Sequence, residues 1–431
     1  MTDLEINASD REMLETLQRD TFEYFVRETN PHTGLTADKT EPGSPSSITA
    51  TGFGLAAWCI AVERGLTPRA TAIASTLATL RFFHSSAQGT EPDATGYKGF
   101  YYHFLDMSTG RRAWDCELST IDTAFLMAGV LTVGSYFAGE SDDEREIRSL
   151  ADALYRRVEW SWATNGDKTI GHGWTPEYGF LTSSWDQDYS EALILYVLAL
   201  GSPTFAIDPR GYRRWTATFE RKTAYDLDYL YAGPLFIHQL SQMWIDFRGT
   251  QDDRNRELGW DYFENSRRAT LVQQRYAIEN PRGFVGYSNN SWGFTASDGP
   301  GPSVRVVDGV LREFFGYRAR GAPFGPDDGT VSPWAVVASL PFAPEIVCET
   351  IQHANERLAP NRKHRGGFDA SYNSTFFGKA RTPHWVSPWR FGLNEGPIVL
   401  MIENYLSGCL WKVFMRCPYV VTGLNRAGFR K

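Results

Sequence analysis

The chain has 431 residues, with 43 Lys and Arg against 51 Asp and Glu, so its formal net charge is −8. This acidic balance, without a basic block, argues against nucleic acid as a partner. The length exceeds the roughly 250–300 residues that one core usually supports. However, no Pro-, Gly- or Ser-rich linker divides the sequence. We therefore predict one domain over residues 1–431.

The sequence also limits the compartments in which the protein is expected. Its five widely spaced cysteines suggest neither a disulfide framework nor a metal site. The N-terminal residues lack the basic and apolar regions of a secretory signal. The longest uncharged run, residues 123–139, is short for a membrane span and predicts a buried helix. As written, the sequence predicts a cytoplasmic protein with no membrane partner. A periplasmic location is the alternative if an export segment has been removed.

Apolar residues at helical spacing predict a first amphipathic helix over residues 8–29. A buried helix follows from Ser47 or Thr49, and another helix opens at Thr67 and Pro68. A short extended segment is predicted within residues 96–109. Further helices are predicted over residues 123–139, 142–162, 192–200, 210–219, 235–247, 260–280, 331–339, 344–358 and 396–411. Two long loop regions, 281–329 and 359–392, separate the later helices.

Buried helices alternate with amphipathic ones along the chain. The uncharged run 123–139, for example, precedes an amphipathic helix over residues 142–162. This alternation predicts an all-α fold in which antiparallel pairs of inner and outer helices close into a ring. Long loops are usually functional, so we expect those that carry Trp, Tyr and acidic residues to gather at one face of the ring.

Residues 173–202 form the most informative stretch of the sequence. The first half is aromatic, acidic and rich in turns, whereas residues 192–200 are almost entirely apolar. Glu191 lies at the junction, after Ser190, which can cap the following helix. Apolar neighbours raise the pKa of a carboxyl group, and such a group suits a general acid. The alternative is that Glu191 only caps its helix, which is about as common.

Four other carboxylates have a catalytic or a structural interpretation. Asp122 precedes a long apolar run, so it needs a partner, and a structural network is slightly favoured over a substrate hydroxyl. Glu117, just outside the same helix, is favoured as functional. Asp369 follows two glycines and is either a site carboxylate or an ordinary Asx turn. Glu403 interrupts an apolar helix and is interpreted as a paired, structural carboxylate.

Aromatic and amide side chains on the loops are typical of a cleft for a small neutral ligand, because ring faces match the C–H faces of sugars. The alternative is that half of them simply pack under loops. The sequence has no phosphate-binding loop, no Gly-x-Ser-x-Gly motif and no His-Glu-x-x-His motif, so no cofactor or metal is expected. We predict that substrate is bound by Asp122, Tyr102, His103, Trp174, Trp185, Tyr189, Tyr287, Asn290, Trp292 and Trp385.

Several segments together resemble a known family. They include GLTADKT, YYHFLD, ELSTIDTAFLMAG, DYSEALILYVLALGSPT, DDGTVSPWAVVASLPFAPE, GGFDASYN and NEGPIVLMIENY. The combination is similar to the bacterial endo-β-1,2-glucanases of glycoside hydrolase family 144. These belong to a wider glucoamylase-like group that includes the transglycosylase domain of cyclic β-1,2-glucan synthases. The resemblance covers nearly the whole chain.

The resemblance implies an (α/α)6 barrel that cleaves linear β-1,2-glucan to sophoro-oligosaccharides, with inversion and without a metal. It implies that Glu191 is the general acid, Asp369 the base and Glu117 a third essential carboxylate. In the transglycosylase relatives the position that matches Glu117 resembles the nucleophile of a retaining mechanism. The alternatives are therefore an exo-acting hydrolase that releases sophorose, a retaining transglycosylase and a glucan-binding protein without catalysis. The sequence does not give the oligomeric state.

Overall fold

The computed structural model describes residues 6–358, 367–378 and 384–431. Helices dominate this part of the chain. Fifteen α-helices occur within it: α1 (Ala8–Arg27), α2 (Ile48–Glu63), α3 (Arg69–Ser85), α4 (Thr120–Tyr136), α5 (Asp142–Arg156), α6 (Leu193–Gly201), α7 (Pro209–Thr216), α8 (Leu235–Gln239), α9 (Asp253–Leu258), α10 (Tyr262–Glu279), α11 (Pro333–Ala338), α12 (Pro344–Leu358), α13 (Gly392–Leu406), α14 (Cys409–Phe414) and α15 (Pro418–Ala427).

Buried and amphipathic helices pack against each other as the sequence predicted. The helices α2, α4 and α6 are almost fully buried, whereas α5 buries a single apolar stripe. The amphipathic α5 contacts both α3 and α4, and α1 contacts α13. Amphipathic helices thus cover the apolar ones.

Two glycines bring α2 and α4 into backbone contact. A Cβ atom added to Gly129 would lie 2.2 Å from the carbonyl oxygen of Gly52. A Cβ atom added to Gly52 would lie 2.6 Å from the carbonyl oxygen of Phe125. No real Cβ packs this closely, so any larger residue would force the helices apart. The starts of α2 and α4, which carry Thr49 and Asp122, are therefore held at a fixed separation.

Most predicted helices are confirmed, with shifted ends. The predicted helix over 235–247 is shorter, because α8 gives way to a 3₁₀ turn at Ser241–Met243. The predicted helix over 396–411 begins earlier and is divided, because Gly408 adopts a left-handed conformation with φ of 65° between α13 and α14. The sequence reading missed the short helix α9 and the C-terminal α15.

The all-α prediction was incomplete, because small antiparallel sheets organise the loops. Sixteen strands of two to five residues occur within the described ranges: β1 (Ser46–Ser47), β2 (Gly96–Tyr97), β3 (Phe100–Tyr102), β4 (Phe104–Leu105), β5 (Leu118–Ser119), β6 (Gly173–Thr175), β7 (Gly179–Phe180), β8 (Arg221–Ala224), β9 (Leu227–Leu230), β10 (Ala296–Ser297), β11 (Ser303–Val307), β12 (Val310–Phe314), β13 (Arg318–Ala319), β14 (Thr330–Val331), β15 (Tyr372–Asn373) and β16 (Trp385–Val386). The largest sheet has the order β2-β3-β5-β6-β7.

Two ion pairs contain a carboxylate that is buried inside the protein, where an unpaired charge would carry a large desolvation cost. Arg320 and Asp328 are both fully buried, with the Arg320 Nε atom 2.7 Å from the Asp328 Oδ1 atom. Glu403 accepts a hydrogen bond of 2.6 Å from Arg64 Nε, which confirms its structural interpretation. All five cysteines are free thiols. Among the helices that the structure describes, none combines the length and apolarity needed to cross a membrane.

Candidate active site

The five-stranded sheet places His103 beside Glu117. His103 follows β3 and Glu117 precedes β5, and these two strands pair antiparallel. The backbone N–H of His103 donates to the carbonyl of Glu117 at 3.0 Å. Their side chains meet as well, since His103 Nδ1 lies 2.9 Å from Glu117 Oε1. The pairing of two short strands, rather than a helix, therefore builds this part of the site.

Asp122 joins this pair from the first turn of α4. Its Oδ1 atom lies 3.5 Å from His103 Nε2 and accepts a 2.6 Å hydrogen bond from Thr49 Oγ1. Ser119 caps α4 by accepting from the backbone N–H of Asp122, and its hydroxyl donates to the other carboxylate oxygen. The structure therefore provides Asp122 with the network of partners that its burial required. His103 links that network to Glu117.

His103 carries a positive charge between the two carboxylates. Burial opposes this charge, but Asp122 and Glu117 outweigh it and raise the pKa of His103 to about 9. Burial would likewise raise the pKa of Glu117, but the hydrogen bond and charge of His103 lower it. At neutral pH His103 is therefore an imidazolium between the side chains of Asp122 and Glu117.

The same three side chains have the spacing of a small metal site, because one ligand atom from each lies within 4.8 Å of the others. A metal needs a neutral imidazole with a free lone pair. In the structure each nitrogen of the His103 ring faces a carboxylate oxygen. The expectation of a metal-free site stays a prediction.

Glu191 lies within electrostatic reach of this cluster, at the start of the buried helix α6. Burial, with a smaller contribution from the negative charge of Asp122, raises the pKa of Glu191 to about 7. The expectation that Ser190 caps the helix was wrong, because the N-cap is Ala192 and has no side-chain cap. Glu191 is therefore not the cap either. The carbonyl of Glu191 accepts a 2.6 Å hydrogen bond from Ser241 Oγ, which fixes its backbone.

We expect His103→Gln to move the pH profile of any reaction that uses the Glu191 proton. The substitution removes the cation beside Asp122, whose negative charge raises the pKa of Glu191, so the pKa of Glu191 should rise further. The alkaline limb of activity against pH should shift upwards by the same amount. A merely structural role for His103 would lower activity at every pH without moving the limb. Glu140→Gln, at a glutamate with 84% side-chain exposure, is the control.

Asp38 is a further member of the cluster, and the sequence reading did not select it. Burial raises the pKa of Asp38 to about 6, although the charges of His103 and Lys39 oppose the shift. The backbone of Asp38 is fixed at both sides, since its N–H donates to Pro45 and its carbonyl accepts from Gly392, each at 2.8 Å. The only sequence signal was its place in the segment GLTADKT.

Tyr317, also missed, forms part of the wall near Asp38. Desolvation and the negative charges of Asp38 and Asp298 raise the pKa of Tyr317, which places the phenol close to the acidic cluster. Even so, 54% of the residue is exposed. The Tyr317 ring lies 5.8 Å from that of Phe391, the residue before α13. Tyr317 therefore stands between the cluster and solvent.

Asp369 lies on another segment, beside a buried arginine. Only 9% of Asp369 is exposed. Arg390 Nη2 lies 2.5 Å from Glu395 Oε2. Burial opposes the charge of Arg390, but the carboxylates of Glu395 and Asp369 act against it and the pKa of Arg390 is raised. The Arg390 guanidinium is thus a permanent positive charge near Asp369.

The predicted substrate-binding residues divide into two groups. His103 and Asp122 form the cluster, and Trp185 lies near it, because its Nε1 atom donates to Thr120 Oγ1 at the start of α4 at 3.1 Å. The others lie in different surroundings. Tyr102, Tyr189, Tyr287 and Trp292 are buried; Trp174 packs on Tyr97 and Trp162; Asn290 lines a small cavity with Trp292; Trp385 packs on a cluster of Val307, Phe314 and Phe376.

Two of the buried side chains show why an aromatic residue in a loop does not by itself indicate a substrate-binding residue. Tyr287 donates a 2.6 Å hydrogen bond to Asp327, and the Trp292 indole donates a 3.0 Å hydrogen bond to Thr350. Both polar groups are therefore satisfied inside the protein. These rings pack beneath the loops inside the protein, which was the alternative stated for half of the aromatic and amide side chains.

Known proteins with similar sequences are glycoside hydrolases. The chain is 28% identical to the exo β-1,2-glucooligosaccharide sophorohydrolase (non-reducing end) of Parabacteroides distasonis, over 97% of this chain and 58% of that protein. The chain thus spans little more than half the length of this relative. A carboxyl that holds its proton near neutral pH, beside ionised carboxylates, is also typical of glycoside hydrolases.

Solved structures support the same class. An endo-β-1,2-glucanase from Chitinophaga pinensis, in complex with sophorotriose and glucose, is 27% identical, with a TM-score of 0.85 and 99% coverage of both chains. A β-1,2-glucanase from Parabacteroides distasonis is 26% identical, with a TM-score of 0.85, over 98% of this chain and 60% of that one. Residues 183–418, more than half of the chain, match the Glycoamylase family model. The chain belongs to this family.

Proposed function

We propose that the protein hydrolyses β-1,2-glucan to sophoro-oligosaccharides, with Glu191 as the general acid. The observation that carries this proposal is the raised pKa of Glu191, about 7, beside a cluster of charged carboxylates. A general acid must hold a proton at the working pH and release it to the leaving oxygen. Relatives that match nearly the whole chain are named for β-1,2-glucans, which supports the choice of linkage.

In the proposed reaction Glu191 donates its proton to the glycosidic oxygen as the bond to the anomeric carbon breaks. Asp369 accepts a proton from a water molecule, directly or through a substrate hydroxyl, and that water attacks the anomeric carbon from the opposite face. The new hydroxyl then has the inverted configuration. The cation of Arg390 favours the ionised form of Asp369, which a base requires. Afterwards Asp369 holds a proton from the water and Glu191 is ionised, so exchange of protons with solvent restores both groups.

We assign Glu117 to positioning the substrate together with His103 and Asp122. The imidazolium fixes the orientation of both carboxylates, and each has acceptor capacity left for a sugar hydroxyl. If the reaction instead retains configuration, as in the transglycosylase alternative, Glu117 is the candidate nucleophile. Its lowered pKa keeps it ionised, as a nucleophile also requires.

The proposed architecture is a single (α/α)6-barrel domain over residues 1–431. The contacts of α5 with α3 and α4, and of α1 with α13, support the pairing of outer with inner helices. One buried apolar cluster includes residues from Leu14 to Phe429, which supports a shared core.

We propose endo action over exo action on the basis of similarity to a relative that is covered over nearly its whole length. The Chitinophaga relative, named an endo enzyme, matches this chain over 99% of both. The relative named for exo action matches this chain over 58% of its own length. Exo release of sophorose stays the second candidate.

The test is a digestion panel of purified β-1,2-, β-1,3-, β-1,4- and α-1,4-glucans with anomer-resolved product analysis. We expect hydrolysis of the β-1,2-glucan alone, mixed oligosaccharides at early times and the inverted anomer first. A single disaccharide product would support exo action, and longer chains would support transfer. Tight binding of glucan without release of reducing ends at any pH would favour a binding protein. Activity on starch alone would overturn the β-1,2 assignment.

A further inference from the structure

The hairpin of β11 and β12 borders a groove that none of the predicted site residues occupies. The groove has a volume of about 640 Å³ and is lined by residues 302–304 on one side and 313–318 on the other. This volume lies within the usual range for small-molecule sites, roughly 300–1,000 Å³. The groove is therefore large enough to hold part of an extended ligand.

The lining of the groove combines ring faces with charged groups. Phe315 and Tyr317 provide aromatic surfaces, and the Arg318 guanidinium lies 4.3 Å from the centre of the Phe315 ring. Glu313 lies on the same wall and is exposed. Among the described residues, neither Glu313 nor Arg318 has an ion-pair partner. Apolar faces with free hydrogen-bonding groups around them fit a sugar chain better than an apolar peptide.

The inner wall of the groove is rigid. The buried ion pair of Arg320 and Asp328 forms hydrogen bonds with the backbone between β12 and β13. Arg320 donates to the carbonyl of Gly316 at 3.1 Å, and Asp328 accepts from the N–H of Phe315 at 2.8 Å. A fully buried pair of this kind has no competing water. The wall is thus formed before any ligand arrives, which reduces the entropy lost on binding.

The groove continues into the candidate active site through Tyr317. The Tyr317 ring packs on Phe391, and Phe391 forms a backbone bridge with Lys39, the neighbour of Asp38. The negative charges of Asp38 and Asp122 also contribute to the raised pKa of the Tyr317 phenol. A ligand chain that leaves the acidic cluster past Tyr317 would therefore enter the groove.

We propose that this groove is an additional subsite, which binds glucosyl units of the β-1,2-glucan chain beyond those at the cleavage point. The inference rests on the proposed function, because the same chain occupies both places. It makes the hairpin a determinant of preferred chain length, because long substrates gain contacts with Arg318 and the Phe315 ring, and short ones that end at Tyr317 do not.

The test measures binding as a function of chain length in a Glu191→Gln background, which stops turnover. Dissociation constants are determined for sophorotriose and for a β-1,2-glucan fraction of about twenty units, with and without Arg318→Ala. We expect Arg318→Ala to weaken binding of the long chain about threefold to tenfold, in line with the strength of such contacts. The ratio of the two dissociation constants should move towards one. Tyr317→Ala should act in the same direction and also affect sophorotriose.

Leu311→Ala is the matched control, because Leu311 is 71% exposed on the same hairpin and does not line the groove. We expect it to leave both dissociation constants unchanged. Unchanged long-chain binding in Arg318→Ala would overturn the subsite, as would an equal loss for both chain lengths. If the Glu191→Gln protein with an intact groove bound neither glucan, the proposed function itself would fail.

Discussion

Glu191→Gln is expected to abolish most turnover while the fold and glucan binding remain. Gln has nearly the same size as Glu but has no proton to release to the leaving oxygen. General acid catalysis contributes a factor of about 10²–10⁴, so kcat should fall by at least that range. The alkaline limb of wild-type activity, expected near pH 7 from the pKa of Glu191, should disappear with the proton donor. Steady-state kinetics across pH on linear β-1,2-glucan measures both effects.

Stability provides a second readout for this substitution. The folded protein holds the Glu191 proton up to a pKa of about 7, against 4.5 as its ordinary value. Because the folded pKa is the higher one, wild-type stability decreases as the pH rises through this interval. Gln cannot ionise, so the variant should be at least as stable as the wild type at pH 7. Near-native turnover with a lowered melting temperature would instead show that Glu191 has a structural role.

Asp369→Asn is expected to produce the second large loss. Asn cannot accept a proton from the attacking water, so kcat should again fall by about 10²–10⁴. Unlike Glu191→Gln, this variant should lose the acid limb of the pH profile, because that limb reports the ionisation of the base. Asp142→Asn is the control, since the Asp142 side chain is fully exposed on α5. We expect the control to show wild-type kinetics.

The comparison with Glu117→Gln separates the two mechanisms. In an inverting reaction Asp369 is essential and Glu117 only positions the substrate, so Asp369→Asn should be much the slower variant. In a retaining reaction Glu117 would be the nucleophile. Near-native turnover of Asp369→Asn together with an inactive Glu117→Gln would therefore contradict the proposed assignment and favour the retaining alternative.

The helices were predictable because their signals are local. Ser47 and Ser119 each cap the helix that begins at the next residue, and the apolar periodicity of α1 and α5 spans several turns. Most strands had no such signal, since two or three residues cannot display an alternating pattern. Only the extended segment within residues 96–109 was anticipated, and it contains β2, β3 and β4. The contact between His103 and Glu117 depends on strand pairing and could not be read from spacing.

The candidate site was predictable where a charge conflicted with its surroundings. Glu191 and Asp122 were selected because each precedes an apolar run, and both have the partners or the raised pKa that burial demands. Asp38 lies in an ordinary polar loop, and its raised pKa comes mainly from burial in the folded protein, which no local pattern of the sequence shows. Conversely, Tyr287 and Trp292 look like ligand-binding rings in sequence, but buried hydrogen-bond partners on other segments hold them in the core.

The glycine contact between α2 and α4 has a consequence for how the site tolerates change. Thr49 and Asp122 are joined by a 2.6 Å hydrogen bond across these two helices, and the separation of the helices is set where backbone touches backbone. Side chains elsewhere in the core can therefore be exchanged for others of similar volume without resetting this distance. The geometry of the acidic cluster therefore depends on the lack of a side chain at Gly52 and at Gly129. A single methyl group at Gly52 or Gly129 would disturb it more than many larger substitutions at greater distance.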